Sequence, residues 1–213
     1  MRTTFIAALC LAAVGFSSCL GASADISIRA NGSGIIALEY RVSQMLESMG
    51  RLDGNERWPA IPVGKADFER GVAGIPGLRL TRFSAKEVRG KNGGKDLLTN
   101  VTLEFSETKA LLAFLDGTGG RSSYNANGGN ALRLDLLDPA PHNADLVSLL
   151  REVSDGYEIG ISLSAPKSAT LSVLPHAVPA AKVVSRGKKV SFAIGLADLL
   201  DLREGLALEI QWQ

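Results

Sequence analysis

The chain has 213 residues, with 23 Lys and Arg against 22 Asp and Glu, and 46% of its residues are apolar. That composition belongs to a folded globular protein and excludes collagen, coiled coil and wholesale disorder. A formal net charge of +1 argues against a nucleic-acid binder, which needs a basic surface to neutralise phosphates.

Residues 1–18 read as an export signal. Arg2 supplies a positive start, and Phe5–Phe16 is an uncharged, mostly apolar run. Such a run suits the core of a signal peptide and is short of the roughly 18 residues of a membrane helix. Two maturation points are open. Phe16-Ser17-Ser18-Cys19 resembles a bacterial lipobox, with Phe16 in place of the usual aliphatic residue. That resemblance implies cleavage before Cys19 and lipid attachment to its thiol. Ala22-Ser23-Ala24 is a small-x-small site that would place the mature start at Asp25. Cys10 and Cys19 are the only cysteines, and Cys10 lies within the signal. The mature chain is therefore expected to form no internal disulfide.

Beyond the signal, alternation of period 2 predicts most of the elements. Ile26 and Ile28, the Asn31–Gly34 turn, and Ile36, Leu38, Tyr40 and Val42 predict a hairpin. Ser43 could cap a helix carrying Met45, Leu46 and Met49, and Phe68, Val72 and Ile75 predict a helix over 66–75. A strand from Leu78, the Gly90–Gly94 turn and a strand over 97–105 follow. Ser106 is read as the N-cap of a helix bearing Leu111, Leu112 and Leu115. Gly117–Asn130 reads as a long polar, glycine-rich loop. After it come a strand at Leu132–Leu136 and a helix capped by Asn143. Strands at Tyr157–Leu163, Leu171–Val173 and Val190–Ile194, a short helix in 195–202, and a final strand at Leu206–Trp212 complete the chain.

Together these predict an α+β fold, a mostly antiparallel sheet with short helices packed on one face. The expected organisation is a signal peptide at 1–18, an N-terminal α+β part at 19–116, the loop at 117–130 and a C-terminal α+β part at 131–213. The two parts could also form one domain.

Catalytic motifs are not expected. His142 and His176 are the only histidines, each beside a proline, and they lack the spacing of a zinc site. There is no G-x-S-x-G and no G-x-G-x-x-G. Arg89–Asp96 (RGKNGGKD) does not fit a phosphate loop, because Arg89 falls on the first glycine and Asp96 on the Ser/Thr. Its three basic residues could instead face an anionic headgroup. Asp135, Asp138, Asp145 and Asp155 are scattered and define no acid/base pair. No enzyme activity, cofactor or metal is expected. Binding could involve Trp58, in the Pro-flanked loop Leu52–Gly64, or Arg121 and Tyr124 in the glycine-rich loop.

Over Tyr157–Leu199, an alternating strand (YEIGISLSAP), a Pro-containing turn, a second strand, the basic turn Arg186-Gly187-Lys188-Lys189 and the strand VSFAI follow one another. This order resembles the C-terminal part of the LppM-type bacterial envelope lipoproteins. Ala165-Pro166-Lys167 departs from that family's Pro-Gly. The resemblance implies an α+β sheet domain on a lipid anchor, with a lipid- or surface-binding role, and carries over no functional residue. The resulting expectation is a non-enzymatic, lipid-anchored protein of the cell envelope that binds a lipid or an envelope protein, and no nucleic acid. An exported hydrolase of cell-wall or glycan material, using carboxylates, is the alternative.

Overall fold

The structure, a computed structural model, describes residues 20–43, 64–90, 94–115, 122–125, 130–137, 156–174, 178–202 and 204–213. The expected signal, the helices after Ser43 and Asn143, and the loop around Trp58 lie outside these residues, as do both histidines.

Strands dominate the described residues, and most of their pairings are antiparallel. The first hairpin is β1 (Leu20–Ile28) and β2 (Gly34–Ser43), in register from Leu20↔Val42 to Ile28↔Gly34. It turns through Gly32, whose φ of 81° suits a residue without Cβ. Helix α1 (Lys65–Ala73) buries Phe68 and Val72 as the spacing predicts. Strands β3 (Leu78–Arg89) and β4 (Lys95–Phe105) form the second hairpin.

Helix α2 (Thr108–Leu115) starts one residue later than Ser106 would place it. Its first backbone bond runs from Ala110 N–H to the Glu107 carbonyl, while Ser106 N–H donates to the Gly77 carbonyl. Its buried stripe is Ala110, Leu111, Phe114 and Leu115. Leu112 is only partly covered.

The glycine-rich segment is not all loop. It contains β5 (Ser122–Asn125), paired antiparallel with β6 (Asn130–Leu137). The remaining elements are β7 (Glu158–Ser164), β8 (Ala169–Leu174), β9 (Lys182–Arg186), β10 (Lys189–Gly195), helix α3 (Leu196–Leu200) and β11 (Leu206–Trp212). With few and short helices, the balance lies nearer an all-β than an α+β arrangement.

Two sheets result, ordered β3-β4-β2-β1-β7-β10-β9 and β5-β6-β11-β8. The larger sheet takes strands from both sides of residues 117–130. Its halves meet where β1 runs parallel to β7, from Ala22↔Ile159 to Ser27↔Ser164. Successive side chains alternate between faces. Ile26, Ile36, Leu38, Leu103, Leu163 and Phe192 are buried on the inner face, while Ser23, Asp25, Ser27 and Glu39 point outward. The small sheet buries Leu132, Leu134, Leu208, Ile210 and Trp212, and one apolar cluster contains residues of both sheets. At about 25 cal/mol per Å² of apolar surface, that shared burial is the main stabilising term.

The edges of the large sheet are guarded differently. Strand β3 carries Arg79, Arg82, Lys86 and Arg89, and it bulges between Leu80 and Arg82. The skipped Thr81 donates its hydroxyl to the Thr102 carbonyl at 3.0 Å. Strand β9 exposes Val183 and Val184 between Lys182 and Arg186. Charge and bulges both discourage edge-to-edge pairing.

Candidate functional site

Of the residues singled out from the sequence, Cys19, Trp58 and Arg121 lie outside the described residues. Tyr124 lies on β5, opposite Leu132, with its ring packed against the core. Its ring centroid is 6.0 Å from that of Trp212, the planes tilted by 32°. Its hydroxyl donates to Oδ1 of Asn130. Tyr124 therefore braces two residues at the end of the small sheet.

That end carries an open pocket of about 550 Å³. Its floor follows from the strand register. Asn125 pairs with Ala131, Ala131 with Gln211, and Gln211 with Thr170, so these four residues form one row across β5, β6, β11 and β8. They are the outward-facing phase of strands whose inward phase is Leu132, Ile210 and Leu171. The next outward row is Ser123, Arg133, Glu209 and Ser172. Asn130, Ser168, Trp212 and Gln213 close the rim.

The chemistry of the pocket is polar and almost uncharged. Amide and hydroxyl side chains offer both donors and acceptors. Among the described residues lining the pocket, Glu209 has the one ionisable side chain, and it accepts a hydrogen bond from the Gln211 amide. Nearby, Arg133 is paired with Asp135 at 2.9 Å. A glycosidase needs two carboxylates flanking the scissile bond; the described side chains lining this pocket include one, that of Glu209. The signal for the pocket was present in the sequence as the polar phase of β11 and β8. Assembling it requires the register of the β5–β6 pair with β11 and β8, which lie far along the chain from it.

Two smaller grooves are also open. One, of about 240 Å³, lies on the outer face of the large sheet between Ser23, Arg41, Glu158 and Gly160. The other, of about 330 Å³, runs between α1 and β3 past Lys65, Glu69, Arg79 and Phe83. Among the described residues, no group of three His, Cys, Asp or Glu is placed to hold a metal ion. None of the helices they form is long and apolar enough to cross a membrane.

Burial shifts one titratable group strongly. Tyr40, inside the large sheet, has its hydroxyl pKa pushed well above the ordinary tyrosine value by desolvation. Thr99, its cross-strand neighbour on β4, pulls it the other way, and the nearby Asp67 carboxylate adds to the rise. Its ring sits 6.3 Å from that of Phe68, which identifies it as a core residue.

Compared with known proteins, the chain matches no family model and no curated protein.

Proposed function

We propose that the chain is an exported bacterial envelope protein, held at a membrane by acyl groups on Cys19, and that it works by binding rather than by catalysis. The observation that carries this reading is the pairing of Leu20–Ala24 with β2, and of Ala22–Ala24 with β7. Maturation before Cys19 leaves β1 whole. Maturation at Asp25 would remove Leu20–Ala24, whose backbones pair with Val42–Leu38 of β2, and would also strip Ala22–Ala24 from β7. A strand central to the large sheet would lose half its ladder, and each lost hydrogen bond costs about 1 kcal/mol.

The anchor would then join the folded body with no linker, and this end of the large sheet would face the headgroups. Stable attachment takes more than one acyl chain, which lipobox processing supplies. In this reading the short helices pack on one face of the sheet. The resemblance of Tyr157–Leu199 to LppM-type lipoproteins motivates the same arrangement. A binding role is supported by open grooves and by the polar pocket at the end of the small sheet.

The test is fractionation of cells expressing the full chain and its Cys19→Ser variant. The wild-type protein should remain with membranes through a high-salt wash and leave them only in detergent, while the variant should be lost from the membrane fraction. Identical partitioning of the two would contradict the proposal.

A further inference from the structure

The pocket at the end of the small sheet lies away from the Leu20 end of β1. Strand β1 starts at Leu20 and runs parallel to β7, so both lead away from the anchor. Strand β7 ends at Ser164, and a short turn delivers the chain to Ala169 at the start of β8. That turn is pinned to the far end of the large sheet, where Ala165 N–H donates to the Lys188 carbonyl and Ala169 N–H to the Gly187 carbonyl, both at 2.8 Å. Ser168, Ala169 and Thr170 line the pocket.

From this geometry we infer that the pocket is a binding site for a neutral saccharide, presented away from the membrane. Three observations select that class. First, the row Asn125, Ala131, Gln211 and Thr170 sets amide and hydroxyl groups across neighbouring strands, which are about 4.8 Å apart. Side chains able both to donate and to accept, at that interval, match the hydroxyls along a sugar ring. Second, among the described residues lining the pocket there is no cationic side chain to recommend a phosphate or an acidic polymer, and the Glu209 carboxylate already accepts from Gln211. Third, Ala131 is the small member of its row. It leaves a depression between Asn125 and Gln211, at an end of the sheet where Tyr124, on the inward face, braces Asn130 and Trp212.

The orientation of the site rests on the anchor proposed above, but the binding itself does not. The two therefore fail separately. The probes are tri-N-acetylchitotriose and cellotriose, titrated into full-length chain labelled with ¹⁵N at tryptophan indoles and at Asn and Gln side chains. Detergent is included if the chain carries acyl groups. The indole signal lost in Trp212→Phe identifies the reporter packed behind the pocket floor. A saturable shift of that signal and of the Gln211 amide is expected with at least one probe. The exposed double substitution Thr170→Ala, Gln211→Ala should weaken binding by about tenfold or more, with the remaining amide spectrum unchanged. Tyr124→Phe should weaken it less, through loss of the Asn130 brace. Absence of a saturable shift with both probes would overturn the proposal. So would equal binding by the folded double variant. Binding by a chain that carries no lipid would leave the saccharide site standing and remove only its orientation.

Discussion

Tyr157 donates its hydroxyl to Oδ2 of Asp96 at 2.9 Å, joining residues 61 positions apart at the end of the large sheet where β1 begins. Asp96 opens β4, in the N-terminal half of that sheet, and Tyr157 precedes β7, in the C-terminal half. Both side chains are buried. Two glycines give the pair its room. A Cβ at Gly90 would lie 2.6 Å from Oδ1 of Asp96, and one at Gly21 would lie 3.2 Å from the Tyr157 ring. A buried carboxylate that loses a donor bears its desolvation cost uncompensated. Tyr157→Phe is therefore expected to destabilise the fold by about 1–3 kcal/mol, read as a lower denaturation midpoint with an unchanged slope. A loss below a few tenths of a kcal/mol would show that the bond does not join the two halves energetically.

Glycines 34 and 94 make opposite predictions. A Cβ at Gly34 would lie 1.9 Å from the Ser27 carbonyl oxygen and 2.4 Å from the Phe105 ring. The first obstacle is backbone of the partner strand, which cannot swing aside. Gly34→Ala should cost about 3 kcal/mol, at the upper end for overpacking. Nothing lies within 4 Å of a Cβ at Gly94, so Gly94→Ala should be near neutral. Thermal unfolding of both variants beside the wild type checks the contrast.

Tyr40 gives the fold a specific alkaline weakness. Its pKa is raised in the folded state, so the unfolded chain releases the proton first as pH rises. The stabilisation is intact below the ordinary tyrosine pKa of about 10 and falls above it, by at most about 1.4 kcal/mol per pH unit, until the folded hydroxyl also ionises. Denaturant midpoints between about pH 9 and about pH 11 should drop more steeply for the wild type than for Tyr40→Phe. Parallel profiles would contradict the assignment.

The parts of this fold that could be read from the sequence are those whose burial repeats locally. Ile36, Leu38, Tyr40 and Val42 alternate, and they form the inner face of β2. Leu206–Trp212 alternates to the end of the chain, and β11 lies between β6 and β8. Ser122–Asn125 has no such signal. It is a strand because β6 offers it partners, and pairing overrides its loop-like composition. Strand β9 was equally unreadable, since Val183 and Val184 are adjacent and both exposed. The parallel pairing of β1 with β7 brings together segments more than a hundred residues apart, and side-chain periodicity carries no information about such a partner. The candidate site divides the same way. Tyr124 stood out as an aromatic residue in a polar segment. Asn125, Ala131, Gln211 and Thr170 were four unremarkable solvent-facing residues until strand register placed them in one row.

The account depends most on where the mature chain begins and what it carries there. Intact mass spectrometry of the protein, expressed with its first 18 residues and extracted from membranes, reads both at once. The proposal predicts a mass equal to residues 19–213 plus a diacylglyceryl group, with a further acyl group where the amine of Cys19 is also modified. A mass that begins at Asp25, or one that begins at Cys19 with no lipid attached, would contradict it.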